Sequence, residues 1–202
     1  MKFIALVVLA GLFGCAANEN EKKELNDLLK EEDSVRMVTN ISDPFSVFDE
    51  IEITNDPDID FAKHMYLYYR AELKGAEIEV SRGSNKNVIA VAKDQLTHHT
   101  ADIEMFDDYS HNQIPRRNDT AFIKQFYRSL HSTEKDTTSA TADFDAAFLK
   151  LVIDHHQKAI MLSELYLNFS EDPFLRIKAN HIITAHRPEV DKLKKLLNSF
   201  KR

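Results

Sequence analysis

The chain has 202 residues, with 26 basic and 33 acidic side chains, one Cys, no Trp and only four Gly. That length holds one domain or two small ones, the single Cys excludes an intramolecular disulfide, and 43% hydrophobic with 29% charged residues is the balance of a chain that buries a core. A formal charge of −7 argues against nucleic acid as a partner, because affinity for phosphate comes from clustered Lys and Arg.

At the N-terminus Lys2 precedes an apolar run, Phe3 to Phe13, that ends at Gly14-Cys15. The run is too short to cross a bilayer and is followed by polar residues, so residues 1–14 read as an export signal peptide. Its Gly-Cys ending resembles a bacterial lipobox, which would make Cys15 the lipidated first residue of the mature protein. This predicts a lipoprotein of the bacterial cell envelope, periplasmic or surface-facing, with the membrane as a partner through Cys15. The charged run Glu19–Asp33 lies within residues 15–40, which read as a lipid-anchored tether. Turn signals such as Asp43-Pro44 and Asn55-Asp56-Pro57-Asp58 then open a domain over residues 41–202.

Two helical segments in that domain superpose without a gap at an offset of 87. Asp58, Phe61, Lys63, Glu77, Ala92, Thr97 and His99 recur as Asp145, Phe148, Lys150, Glu164, Ala179, Thr184 and His186. The repeats span 58–109 and 145–196. Each is a helix, a short break and a second helix, the break being Ser81–Asn85 in the first copy and Ser170–Pro173 in the second. Asp172-Pro173 is an N-cap followed by Pro at the first helical position. Two such hairpins pair their amphipathic faces, giving an all-α, ferritin-like four-helix bundle. Between them, Ser110–Arg117 reads as loop, Thr120–His131 as a short helix bearing Phe122, Phe126 and Leu130, and Ser132–Ala142 as a Ser/Thr-rich linker, together a long crossover connection.

Helical wheels at about 100° per residue place ionisable groups on the apolar stripes. His155 falls among Phe148, Leu151, Val152, Ala159 and Leu162; His186 and Glu189 lie among Ile182, Val190 and Leu193. His99 and Asp102 lie among Ala92, Ile103 and Phe106, and Tyr68 and Glu72 among Phe61, Met65 and Ala76. His155, His186, Glu189, His99, Asp102 and Glu72 therefore aim at one core. Buried charges must pair or bind an ion, and imidazoles with carboxylates on facing helices are how bundles hold metals. His156 points about 100° from His155 and is expected on the flank; with Tyr68, Met161 and Gln95 it forms the surrounding set. An antiparallel pairing with Asp145 beside Leu196 sets His155 level with His186 and Tyr68 level with His99. Pro188, between His186 and Glu189, removes a backbone donor and is expected to kink its helix.

The run Asp145-x-x-Phe148…His155-His156-Gln157-x-Ala159-Ile160-Met161, followed by Ala179-x-x-Ile182-Ile183 and Glu189-Val190, resembles the domain of unknown function 305 (DUF305) family. That resemblance implies an exported four-helix protein of ferritin-like fold whose paired His and nearby Met are linked to copper. The first repeat departs from it, with Tyr68-Tyr69 in place of the His pair, and His186 stands where the family carries Gln.

Together these readings predict a non-catalytic, exported lipoprotein that sequesters a transition metal ion, copper being one candidate. Imidazole and carboxylate donors also suit Zn, Fe or Mn. The alternative is an envelope interaction module with a metal-free polar core. A di-metal oxidase fits less well, since the order is His-x-x-Glu and His-x-x-Asp, not Glu-x-x-His. Nucleotide-loop, Ser/His/Asp and Cys-pair signatures are absent from the sequence.

Overall fold

The computed structural model describes residues 51–133 and 143–200. The signal segment, the tether and most of the Ser/Thr-rich linker lie outside the described residues. Five helices and no strand occur among the described residues: α1 (Pro57–Arg82), α2 (Lys86–Asn112), α3 (Thr120–Thr133), α4 (Phe144–Tyr166) and α5 (Pro173–Ser199). The chain is an all-α bundle of two hairpins, α1–α2 and α4–α5, with α3 packed on α4 and α1.

The duplication is written into the helix ends. Pro57, Lys86 and Asn112 recur at the same offset of 87 as Phe144, Pro173 and Ser199. The N-caps recur too: Asp56 and Asn85 in the first hairpin, Asp143 and Asp172 in the second, each accepting a backbone N–H of its own first turn. A cap that satisfies an otherwise orphaned donor contributes about 1 kcal/mol and fixes where the helix starts. Asp145, in the first turn of α4, accepts the N–H groups of Ser84 and Asn85, both at 3.0 Å, from the α1–α2 break. Asp58, its counterpart in α1, accepts those of Glu171 and Asp172 at 3.3 and 3.4 Å, from the α4–α5 break. Each hairpin thus ties down the turn of the other, as expected of two copies related by an approximate twofold axis.

The symmetry extends to the groups beside these aspartates. The Tyr166 hydroxyl donates to Asp58. Its counterpart, Glu79, is fully buried with its carboxyl beside that of Asp145. Gly83 leaves room for it, since a Cβ there would sit 2.1 Å from Glu79 Oε1 and 2.7 Å from the Glu79 carbonyl oxygen.

Two apolar clusters fill the bundle. One contains Phe61, Met65, Tyr69, Phe106, Leu162 and Tyr166, covered by Phe122 and Phe126 of α3. The other contains Ala76, Val88, Ala92, Phe148, Val152 and Leu193. The polar residues discussed below occupy the layer between them.

Two expectations need correction, the end of α2 and the burial of α4. Ser110 to Asn112 belong to α2, not to a loop, and the crossover is fastened further on, where the Arg116 and Arg117 N–H groups donate to Asp56. α5 carries Pro188 in its interior, between His186 and Glu189. α4 does not bury one stripe: it packs against α1, α5, α3 and α2, and sixteen of its 23 residues are buried. His155 and His156 are both inside, at 2% and 0% exposure, so adjacency on the helix did not leave one of them in solvent.

Candidate metal centre

Three imidazoles, one each from α2, α4 and α5, meet in the middle layer. His99, His156 and His186 each offer a ring nitrogen such that the three atoms lie within 4.8 Å of one another, and all three residues are buried. The His156 and His186 rings stack at 4.0 Å between centroids; His99 lies 5.5 Å from His186 and 6.0 Å from His156. Tyr69 of α1 closes the group, its ring stacked on His99 at 4.5 Å and its hydroxyl 3.2 Å from His186 Nε2. At the offset of 87, Tyr69 is the counterpart of His156 and His99 that of His186, so four equivalent positions from two hairpins face one another across the approximate twofold.

Two carboxylates flank the imidazoles. Glu72 of α1, fully enclosed, places Oε1 3.0 Å from His156 Nε2 and 3.8 Å from His99 Nε2. Glu189 of α5 places Oε2 3.6 Å from His156 Nδ1 and 3.5 Å from His186 Nδ1. Gln95 of α2 turns Glu189 inward by donating to its Oε1 at 2.7 Å.

Burial and charge pull against each other here. Burial pushes the Glu72 carboxyl up, but the charge and hydrogen bond of His156, with His99 and His155 beyond, bring it down to about 2. Burial pulls His156 down, yet Glu72 and Glu189 together hold it above the ordinary imidazole value. His99 ends below that value because burial outweighs Glu72. Burial also raises the Glu189 carboxyl, and the nearby imidazoles of His186 and His156 outweigh it and bring the carboxyl below the ordinary value. Burial, and then the charges of Asp102, Glu72 and Glu189, push the Tyr69 phenol up, so it stays protonated.

Of the six residues expected to converge, the structure brings together His99, His186, Glu72 and Glu189, along with Gln95 and His156 from the surrounding set. His155 is not among them: it lies against Tyr68, ring centroids 5.7 Å apart, in the contact of α4 with α1. The helix pairing explains the exchange, because His156 and not His155 lies level with His186, and Tyr69 and not Tyr68 with His99. Asp102 is drawn to the bundle surface, where Lys178 holds it at 3.2 Å. Met161 lies on a shallow outer groove with Gln157, Ile160, Glu164 and Arg187, away from the imidazoles. Tyr69 was missed as a site residue, although the repeat offset already paired it with His156. His64, near the start of α1, is buried outside the cluster, with Nδ1 bonded to the Asp60 carbonyl and its ring against Phe126.

The donor set suits a divalent transition metal. Three imidazoles and one or two carboxylates are borderline donors with no thiolate or thioether among them, which favours Cu(II), Zn(II) or Fe(II) over Cu(I). His99 Nδ1, His156 Nδ1, His186 Nδ1 and Gln95 Oε1 are buried without a hydrogen-bond partner, so the cluster retains coordinating capacity that its own residues do not use.

A family model described as "Domain of unknown function (DUF305)" matches residues 58–197. A crystal structure of a DUF305 fragment from Deinococcus radiodurans superposes with a TM-score of 0.52 at 18% identity, covering 71% of this chain and 96% of that one. At that identity the likeness shows the fold alone. No curated protein matches the chain.

Proposed function

The chain belongs to the DUF305 family, and within it we propose that this protein holds one transition-metal ion in the bundle core, with His99, His156, His186 and Glu72 as ligands. The observation that supports this most directly is the convergence of three buried imidazoles from three different helices. Glu189, 3.6 Å from His156 Nδ1 and 3.5 Å from His186 Nδ1, stands where a carboxylate behind a metal-bound imidazole commonly orients it, and Gln95 holds it there. This revises the sequence-based ligand set by exchanging His155 for His156, by leaving Asp102 outside and by moving Glu189 from ligand to orienting residue.

The reading extends to the segment beyond the described residues. The signal-like run before Cys15 supports an exported lipoprotein anchored in the bacterial envelope, where a buried, high-denticity site would serve sequestration or homeostasis of Cu(II) or Zn(II). An interaction module with a metal-free polar core is the competing reading. It is favoured by the bonds the cluster already makes internally, Glu72 to His156 and Tyr69 to His186.

Elemental analysis of the full chain after equilibration with micromolar Zn(II) or Cu(II) tests the two. Stoichiometric metal that is lost in His156→Ala and His186→Ala but retained in His155→Ala supports the metal reading. Absence of stoichiometric uptake refutes it and leaves the interaction module.

A further inference from the structure

Resting on the metal reading, one further role can be assigned, to Tyr69. The Tyr69 hydroxyl reaches His186 Nε2 at 3.2 Å, whereas Glu189 Oε2 lies 3.5 Å from Nδ1 without closing a hydrogen bond to it. The nearby carboxylate favours the tautomer with its proton on Nδ1, and in that tautomer the Nε2 lone pair accepts the phenol O–H. An ion entering the cluster through Nε2 needs that same lone pair. Tyr69 is buried at 2% exposure, and its ring is stacked on His99, so water does not take its place and the phenol is held in position. The other hairpin carries His156 at the equivalent position, where Nε2 meets Glu72 at 3.0 Å and no phenol reaches an imidazole.

We propose that Tyr69 is a latch on the metal centre: it competes with the ion for His186 Nε2, lowering affinity and keeping the site reversible. A phenol of this kind fits a protein that passes its ion on better than one that stores it permanently. Tyr69 acts through His186 and is not itself a ligand.

Competition titration of the full chain with Zn(II) against a chromogenic chelator tests this in wild type, Tyr69→Phe and His186→Ala. A net hydrogen bond of about 1 kcal/mol corresponds to about a fivefold change in dissociation constant. Tyr69→Phe is therefore expected to bind about fivefold tighter, and His186→Ala to lose the ion. Nitrogen-15 spectra of the metal-free wild type supply a second measurement that needs no variant to fold: His186 should carry its proton on Nδ1 and leave Nε2 bare. Unchanged or weaker binding by Tyr69→Phe, or the opposite tautomer, overturns the latch. So does a phenolate-to-metal absorption band in Cu(II)-loaded wild type that is absent from Tyr69→Phe, since it would make Tyr69 a ligand. Uptake that depends on His186 but not on Tyr69 removes the latch and leaves the metal reading intact; no uptake by either protein removes both.

Discussion

Replacing Glu79 with Gln should make the protein's stability less sensitive to pH between about 4.5 and 8. Neither Glu79 oxygen meets a hydrogen-bond donor, and its neighbour is the Asp145 carboxylate, already accepting from Ser84 Oγ and from the Ser84 and Asn85 N–H groups. The pair holds only if Glu79 keeps its proton and donates it, as the Tyr166 hydroxyl donates to Asp58 in the other half. Burial, the bond to Asp145, and the Asp145 and Asp143 charges push the Glu79 carboxyl up from 4.5 to about 8. Between those values the unfolded chain has released the proton and the folded chain has kept it, so stability falls as pH rises. At about 1.4 kcal/mol per pH unit the window amounts to about 5 kcal/mol, or roughly 10–20 °C in Tm for a chain of this size. Asp145 titrates below the window, since its hydrogen bonds to Ser84 and Glu79 outweigh burial and hold it under the ordinary aspartate value. His64, which burial lowers to about 4, loses stability as pH falls from 6.5, but it does so equally in both proteins and cancels in the difference. A Gln amide donates to Asp145 without a titratable proton. Thermal melts of the metal-free proteins at half-unit steps should show Glu79→Gln gaining on wild type steadily from pH 4.5 to 8 and levelling above. A difference that stays flat across that range would refute the reasoning.

The remaining stability predictions follow from the same contacts. His156→Ala leaves the enclosed Glu72 without its nearest partner and should cost the metal-free protein about 3–5 kcal/mol by denaturant titration, the penalty for an uncompensated buried charge. Gly83→Ala should destabilise by about 1–3 kcal/mol in the same assay, because the added Cβ meets Glu79 backbone as well as its flexible carboxyl. Asp58→Ala and Asp145→Ala should each speed hydrogen exchange in the break of the opposite hairpin, at Glu171 and Asp172 or at Ser84 and Asn85, and leave the nearer break unchanged.

Much of the fold was legible because a duplicated sequence states its own register: the offset that aligns His99 with His186 also aligns the helix starts and the caps. The layer of the site was legible for the same reason. Its individual members were less so. A helical wheel assumes one broad buried face, and α4, surrounded on most sides, leaves only a narrow strip at Gln157 and Glu164 exposed near the site; His155 and His156 then look alike, and only the pairing with His186 separates them. Asp102 was misplaced because a His-x-x-acid spacing fixes the helix face but not whether a competing cation such as Lys178 waits at the rim. Glu79 gave no signal in the sequence, since a carboxyl that must stay neutral differs from a surface Glu only in what surrounds it.

The centre also departs from the symmetry that built it, and the departures set its charge. Glu72 has Ala159 as its counterpart, Gln95 has Ile182, and Glu189 has Asp102, which turns away to Lys178. Two carboxylates therefore face three imidazoles where a symmetric arrangement would have balanced the halves. Glu72 and Glu189 favour the charged form of His156 against the burial that opposes it, and hold the imidazole above its ordinary value. A divalent ion needs His156 neutral, so below that value binding displaces its proton. Uptake at pH 6 should accordingly release protons, and more of them than uptake at pH 8. Calorimetry of Zn(II) binding in buffers of differing ionisation enthalpy measures that number directly. Uptake at pH 6 with no proton release would mean that His156 keeps its proton and that the ion, if bound, sits elsewhere.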